Sequence, residues 1–255
     1  MAQFKNFASD AGAEEWVKDS IRECVSSYPM VGTLLPVAVD IGANVGGFCY
    51  CARNSFETIY AFEPSPQNCG VALQVIEQLH LNNVQLFNLA VTAHAGRLVK
   101  LKHPSQSELS SGNITCQQEI GEGATLQDTG EMCETTSLNQ IFEKLEIDRI
   151  DYLKLDCEGG EYDILEGFQD HDKITFIAME LHNYYGLERK RDLLNKLCKH
   201  FYLFELWNGL IPFNEELPSK SINDRISEFD ELDNVFAVNK NYSKHLRLRP
   251  PSAAD

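Results

Sequence analysis

Short apolar runs alternate with amphipathic segments along most of the chain. The apolar runs have the length of buried strands and fall at 36–40, 58–63, 84–91, 150–156, 174–181, 201–207 and 234–239. The segments between them show helical periodicity, at 46–53, 69–80, 137–145, 161–168 and 188–200. Strands that alternate with helices in this way predict an α/β fold, a doubly wound, mostly parallel seven-stranded sheet with helices on both faces.

The pattern also divides the chain. Residues 1–35 are predicted to form an N-terminal helical segment that Pro29 closes, and residues 241–255 a solvated C-terminal tail. No linker rich in Pro, Ser or Gly interrupts residues 36–240, so we expect a single domain there. Within it, the polar stretch 94–135 is long for a connection in a compact domain, and we expect an insert or lid on the substrate side.

Charge narrows the class of partner. The 255 residues include 22 Lys and Arg against 38 Asp and Glu, a formal net charge of −16. An acidic surface repels phosphate backbones and anionic lipids, so we expect neither a nucleic-acid nor a membrane partner. The eight cysteines form no C-x-x-C pair, and no signal peptide or long apolar run is present. These features predict reduced thiols and a cytoplasmic location.

One turn carries the main chemical signal. The sequence DIGANVG, from Asp40 to Gly46, follows a predicted strand and opens a predicted helix, which is the context of a nucleotide-binding turn. Gly42 and Gly46 let the backbone turn sharply and approach a ligand. Glu63 ends the next strand, 23 residues after Asp40. An acid about 20 residues beyond such a turn reaches ribose hydroxyls.

The turn also separates two cofactor classes. A dinucleotide fingerprint needs glycine in the middle position, where this chain has Asn44. Asp40 beside a helix N-terminus suits the ammonium end of an amino-acid ligand better than a diphosphate. S-adenosylmethionine is therefore favoured. A nicotinamide-dependent oxidoreductase and a non-catalytic nucleotide-binding module are the alternatives.

Six short motifs follow one another between residue 37 and residue 207. They are DIGANVG at 40–46, FEP at 62–64, NLAV at 88–91, KLDCEGGE at 154–161, ILEG at 164–167 and ELH at 180–182. With these motifs the chain resembles FkbM-type methyltransferases. The resemblance implies a Rossmann-like class I methyltransferase fold, S-adenosylmethionine as donor, and O-methylation of a hydroxyl on a sugar or natural product.

The resemblance also implies roles for individual residues. Asp40, Gly42, Asn44 and Gly46 would line the methionine end of the donor, and Glu63 would hold its ribose. A further group, Asn88 with Ala90 and Val91, would lie beside the adenine.

Candidate catalytic residues end the fourth and fifth strands. Asp156 and Glu158 follow one of them, and Glu180 and His182 follow the other. Methyl transfer to a hydroxyl requires a positioned oxygen and removal of its proton. We expect His182 to be the base, because an ordinary histidine pKa near 6.5 suits proton transfer at neutral pH. Asp156 would orient the acceptor or the donor. Structural roles, a satisfied histidine and a helix cap, are the alternatives.

The same residues could hold a metal ion. Three acids and one histidine that converge would suit a hard divalent cation such as magnesium, which would lower the pKa of an acceptor hydroxyl. Since the resemblance implies O-methylation, the expected partner is a small molecule with a hydroxyl group that accepts the methyl. The sequence does not indicate an oligomeric state.

Overall fold

The computed structural model describes residues 11–104, 126–182, 186–205, 233–242 and 248–249. The helices are α1 Ala11–Ser27, α2 Gly47–Ala52, α3 Pro66–Gln78, α4 Leu138–Lys144, α5 Glu161–Gly167 and α6 Leu187–Leu197. The first strands are β1 Met30–Val31, β2 Leu35–Ile41, β3 Phe56–Phe62, β4 Val84–Phe87, β5 Ala90–Val91 and β6 Leu98–Pro104. The remaining strands are β7 Leu126–Thr136, β8 Ile150–Leu155, β9 Ile174–Glu180, β10 Phe201–Glu205, β11 Asn234–Asn239 and β12 Leu248–Arg249.

A seven-stranded sheet runs in the order β10-β11-β9-β8-β2-β3-β4. Strands β4, β3, β2, β8 and β9 are parallel to one another, and β11 is antiparallel to both β9 and β10. The predicted α/β fold with a mostly parallel seven-stranded sheet is therefore confirmed. The chain builds outward from β2 in one direction and from β8 in the other, so strand order reverses between them. Open α/β sheets bind ligands at the carboxyl ends of the strands at such a reversal.

Alternate residues of the central strands feed two separate cores. Val39, Leu153 and Ile177 point to one face and pack with buried residues of α4, α5 and α6. Their neighbours Ala38 and Tyr152 point to the other face and pack with buried residues of α1, α2 and α3. Because both faces are covered, these strands are apolar throughout rather than alternating. This arrangement confirms helices on both faces of the sheet.

Capping explains where α3 begins. The Ser65 hydroxyl accepts a hydrogen bond from the backbone N–H of Asn68, and Pro66 occupies the first helical position. A serine cap followed by proline starts a helix because it satisfies an end donor and fixes the backbone angle. The helix therefore begins three residues before the predicted 69–80 segment.

The third predicted strand, 84–91, is divided. The break includes Asn88, whose side-chain amide donates to the carbonyls of Glu63 and Pro64. The chain beyond the break leaves the main sheet and forms β5, which pairs in parallel with β7. β7 also pairs antiparallel with β6, which gives a three-stranded sheet in the order β5-β7-β6. The predicted 94–135 insert thus contains a hairpin, whose residues 105–125 lie outside the described part of the chain.

The N-terminal helix packs on the helix that follows the DIGANVG turn. A Cβ at Gly47, the first residue of α2, would lie 2.3 Å from the Ser20 hydroxyl and 2.8 Å from the Ser20 carbonyl oxygen. Only glycine allows this close approach of α1 to α2. At the other terminus, Leu248 and Arg249 pair with β1, so this part of the predicted solvated tail is a strand.

The seven cysteines in the described ranges are thiols rather than disulfides, and Cys116 lies outside these ranges. Within the same ranges, each helix is too short or too polar to cross a membrane.

Candidate active site

The DIGANVG turn lies against the end of β8. Gly42, Asn44 and Gly46 all adopt left-handed backbone angles, with φ of 80°, 49° and 87°. A Cβ at Gly42 would fall 1.7 Å from the carbonyl oxygen of Asp156, whereas a Cβ at Gly46 would meet only ordinary contacts. Gly42 is therefore required by space as well as by conformation, and Gly46 by conformation. This contact places the turn beside the first residue of the predicted catalytic cluster.

Glu63 follows β3 directly and lies beside the same turn. One of its carboxylate oxygens accepts a hydrogen bond from the backbone N–H of Asn44 at 2.8 Å. The other accepts from the backbone N–H of Ser65 at 2.9 Å and from the Asn68 amide at 3.2 Å. Burial raises the pKa of Glu63 to about 7, although these donors oppose the rise. The structure therefore places the Glu63 carboxylate against the DIGANVG turn, and its contact with a ribose stays a prediction.

Asp40 has a different surrounding from the predicted one. The structure buries it completely and pairs its Oδ1 with Lys154 Nζ at 3.2 Å. Lys154 also donates to the carbonyl of Gly42 at 2.6 Å. Burial alone would lower the pKa of Lys154, but the carboxylates of Asp40 and Asp156 outweigh burial and raise it. The ammonium that Asp40 holds therefore belongs to the protein itself, and its carboxylate faces the interior rather than a ligand.

The three residues expected beside the adenine have side chains that contact other parts of the protein. The Asn88 amide bridges the Glu63 and Pro64 carbonyls, as described above. Ala90 and Val91 are buried in β5. Their side chains pack inside the protein, so any contact with a ligand at this position would come from their backbone.

A cluster of acids surrounds His182 where β8 and β9 end. Nε2 of the ring lies 3.3 Å from Glu158 Oε2 and 3.9 Å from Glu180 Oε1. Nδ1 lies 3.2 Å from Oε1 of Glu161, a fully buried residue. Asp156, Glu158 and His182 each offer one ligand atom, and these atoms lie within 4.8 Å of one another. The structure therefore brings together all four predicted catalytic residues.

Electrostatics changes the role predicted for His182. Burial favours the neutral ring, but the carboxylates of Glu161 and Glu158 outweigh burial and raise the pKa of His182 well above its ordinary value. The prediction of His182 as the base started from an ordinary histidine pKa, whereas these acids favour the protonated ring. Burial and the Asp156 carboxylate raise the pKa of Glu180 to about 7.

Two residues of the cluster were not predicted from the sequence. Glu161, the first residue of α5, accepts a hydrogen bond from the Cys157 backbone N–H at 2.8 Å and also faces His182. Its position in the KLDCEGGE motif was the available signal. Tyr28 follows α1 and donates its hydroxyl to Asp156 Oδ2 at 2.9 Å. A tyrosine 128 residues away in sequence carries no local signal for this contact.

The fold and the turn define a Rossmann-like protein of the class I methyltransferase architecture. Residues 40–206 match the family model described as the methyltransferase FkbM domain. The chain belongs to this family, which confirms the resemblance seen in the sequence and displaces the nicotinamide-dependent alternative.

Two curated relatives give the degree of similarity. The 31-O-demethyl-FK506 methyltransferase FkbM of Streptomyces tacrolimicus is 30% identical over 174 residues, which cover 59% of this chain and 66% of the relative. Methyltransferase 1 of Beauveria bassiana (strain ARSEF 2860) is 26% identical over 157 residues, 56% of this chain and 63% of the relative. The chain thus spans slightly less than two thirds of each relative that it matches.

A solved structure gives the same architecture. Methyltransferase FkbM from Methylobacillus flagellatus KT superposes with a TM-score of 0.50 at 13% identity, over 88% of this chain and 50% of that chain. At this identity the similarity supports the fold alone.

Proposed function

We propose that this protein transfers a methyl group from S-adenosylmethionine to a hydroxyl of a small molecule, such as a sugar or a natural product. The contact between Gly42 and the Asp156 carbonyl carries the proposal. It sets the turn expected to bind the donor directly beside a cluster of acids that can position and deprotonate a hydroxyl.

The residues of the turn fit this donor. Gly42, Asn44 and Gly46 would hold its methionine end, and the Glu63 carboxylate would accept hydrogen bonds from its ribose. The side-chain oxygen of Asn44 is buried and has no hydrogen-bond partner among the described residues, so the turn offers a polar group that a ligand could satisfy. When bound, S-adenosylmethionine supplies a methyl group already activated on a sulfonium.

We assign removal of the acceptor proton to Glu180. Both ring nitrogens of His182 already face carboxylates, so the ring is held in place by its neighbours. Glu180 is the most exposed acid around the ring, with 35% of its side chain accessible, against 12% for Glu158 and 0% for Glu161. A base must reach the acceptor, and accessibility favours Glu180. Asp156, Glu158 and His182 would orient the acceptor.

Transfer to oxygen has further support. The Streptomyces tacrolimicus relative is named as a methyltransferase of a 31-O-demethyl compound. The net charge of −16 and the acids of the cluster disfavour a phosphate-rich acceptor such as a nucleic acid. A small hydroxylated molecule is the acceptor that these charges permit, and the cytoplasm is the location that the sequence predicts.

The test uses methyl-labelled S-adenosylmethionine with a panel of hydroxylated small molecules, and an RNA transcript in a parallel reaction. Labelled methyl ethers identified by mass spectrometry are the expected product. Label on nitrogen or carbon, or label mainly in RNA, would contradict the proposal. Thermal unfolding with S-adenosylhomocysteine should show stabilisation that NADH does not give. Binding without turnover on any acceptor would support the non-catalytic module instead.

A further inference from the structure

The geometry points to a divalent metal site formed by Asp156, Glu158 and His182, with Glu161 holding the histidine ring in place. We infer that it takes a first-row transition ion of the Mn²⁺ kind. The role of the ion in activating an acceptor hydroxyl rests on the proposed function, but binding of the ion does not.

The three side chains converge because of the strand order. β8 and β9 are adjacent and parallel, so the residues that follow them meet at one edge of the sheet. Glu158 adopts a left-handed backbone angle, φ 51°, which breaks the strand geometry where its side chain turns toward His182. Adjacent ligands about 2.1 Å from an octahedral ion lie about 3 Å apart. Glu158 Oε2 and His182 Nε2 are already 3.3 Å apart, and the full set lies within 4.8 Å.

Glu161 fixes the ring as a second-sphere carboxylate would in a metal site. When Nδ1 donates to Glu161 at 3.2 Å, Nε2 is the nitrogen that faces Glu158. A ring nitrogen and a carboxylate oxygen this close need a cation between them, either a proton or a metal ion. Metal-bound histidines generally donate their other N–H to a carboxylate or a carbonyl, which orients the ring.

A second, independent feature indicates missing positive charge. Oε2 of Glu161 is buried and has no hydrogen-bond partner in the described part of the chain. Such an oxygen is costly unless the field around it is positive. Among the described side chains, three glutamates, Glu158, Glu161 and Glu180, lie within 4 Å of the ring nitrogens, and Asp156 lies within 4.8 Å. The nearby Lys154 is closer to Asp40, at 3.2 Å, than to Asp156, at 3.7 Å. A divalent ion would balance this excess.

The donor set selects the kind of ion. Mg²⁺ prefers an all-oxygen shell, whereas one imidazole with two carboxylates suits Mn²⁺ and its transition-metal neighbours. The histidine therefore shifts the expectation from magnesium, the example considered from the sequence, to Mn²⁺. Three protein ligands leave coordination positions for an acceptor oxygen, whose hydroxyl pKa the ion would lower.

The test is a titration of the chelator-treated full chain with Mn²⁺. Binding is measured by the decrease of the EPR signal of the free ion. One site per chain is expected. Glu158→Gln, which keeps the shape of the side chain, and His182→Ala should each weaken binding at least tenfold. Glu161→Gln should weaken it by about 10- to 100-fold, because the carboxylate orients the ligand. His94→Ala, which removes an exposed histidine elsewhere, should leave binding unchanged. Circular dichroism of each variant checks that it is folded.

No binding by the folded wild-type chain, or binding that Glu158→Gln leaves unchanged, would overturn the inference and leave His182 as a protonated partner of the two glutamates. The outcome is separate from that of the proposed function. Methyl transfer that persists in chelator without Mn²⁺ binding removes the metal site and keeps the methyltransferase. Mn²⁺ binding without methyl transfer to any acceptor keeps the site and removes the proposed activity.

Discussion

Oδ1 of Asp40 lies 3.2 Å from Nζ of Lys154, and the two residues are register partners on the adjacent parallel strands β2 and β8. This is the pair of strands at which strand order reverses. Lys154 also donates to the Gly42 carbonyl, so the ion pair lies directly beneath the turn proposed to bind the donor. The pair therefore joins the two halves of the sheet at the point where the candidate site forms.

Breaking this pair should be strongly destabilising. Lys154→Met leaves Asp40 buried without its partner, and removing one member of a buried pair costs about 3–5 kcal/mol. The double variant Asp40→Leu with Lys154→Met should recover much of the loss, because no uncompensated charge remains. Urea unfolding measures both. The matched control is Lys100→Met, which breaks the exposed pair with Asp128 and should hardly change the free energy of unfolding. Equal effects of Lys100→Met and Lys154→Met would contradict the assignment.

Gly42→Ala should be far more damaging than Gly96→Ala. Both glycines have positive φ, 80° and 74°, so both substitutions carry the same conformational cost, about 1–2 kcal/mol. At Gly96 a Cβ meets nothing within 4 Å, whereas at Gly42 it meets the Asp156 carbonyl. The difference between the two free energies of unfolding isolates this clash. We also expect Gly42→Ala to lose affinity for S-adenosylhomocysteine, measured by calorimetry, and Gly96→Ala to retain it.

Glu63 should make stability and cofactor affinity depend on pH in opposite directions. Burial raises its pKa to about 7 from an ordinary value of 4.5. Between these values the unfolded chain binds fewer protons than the folded one, so this contribution to stability is lost as pH rises toward and through 7. Affinity for S-adenosylhomocysteine should instead increase with pH, because the ionised carboxylate would accept the ribose hydrogen bonds proposed for it. Urea unfolding and calorimetry at pH 5.5, 6.5 and 8 measure the two. In Glu63→Gln both trends should weaken, and unchanged slopes would rule out Glu63 as their source.

Glu180→Gln tests the proposed base. The amide keeps the shape of the side chain but cannot take the acceptor proton, so kcat should fall by about 10²–10⁴-fold. Affinity for S-adenosylhomocysteine should remain within a few-fold of wild type, since Glu180 lies outside the turn. Glu143→Gln, an exposed acid on α4, is the control and should change neither quantity. A variant with wild-type kcat would remove Glu180 from this role.

Tyr28→Phe removes one hydroxyl that holds Asp156. The aromatic ring should keep its edge contact with Phe48, so we expect the thermal unfolding temperature to fall only slightly. Without the hydrogen bond the Asp156 carboxylate is less well positioned, and kcat should fall by roughly tenfold, as for the loss of one hydrogen bond. A similar fall in stability and no change in kcat would mean that Tyr28 is purely structural.

The fold was accessible from the sequence because its central strands are short, apolar and fully covered. Their predicted bounds agree with β2, β3, β8 and β9 to within two residues at either end. The exception was the run at 84–91, where an apolar pattern continued through a break. The Asn88 side chain bonds to carbonyls 24 and 25 residues earlier, a contact that periodicity cannot register.

The site was accessible only in part. The sequence spacing predicted that Glu63 lies near the turn and that His182 lies near the acids, because both residues follow the ends of strands. Spacing could not show that the Asp40 side chain points inward to Lys154. An acid at the end of a buried strand gives the same sequence pattern whether its side chain points to the interior or to a ligand. Nor could spacing give the pKa of His182, which depends on how closely Glu158 and Glu161 approach the ring.

The close contact between Ser20 on α1 and Gly47 on α2 limits how far the chain can be shortened from its N-terminal side. The family match begins at residue 40, and a fragment cut there would retain every motif by which the family is identified. It would nevertheless lose the helix whose backbone seats against the start of α2, and would bare Phe48 and Cys49, which are buried against that side of the sheet. The structural unit that supports the DIGANVG turn therefore extends beyond the residues that the family model matches, and it reaches back to α1.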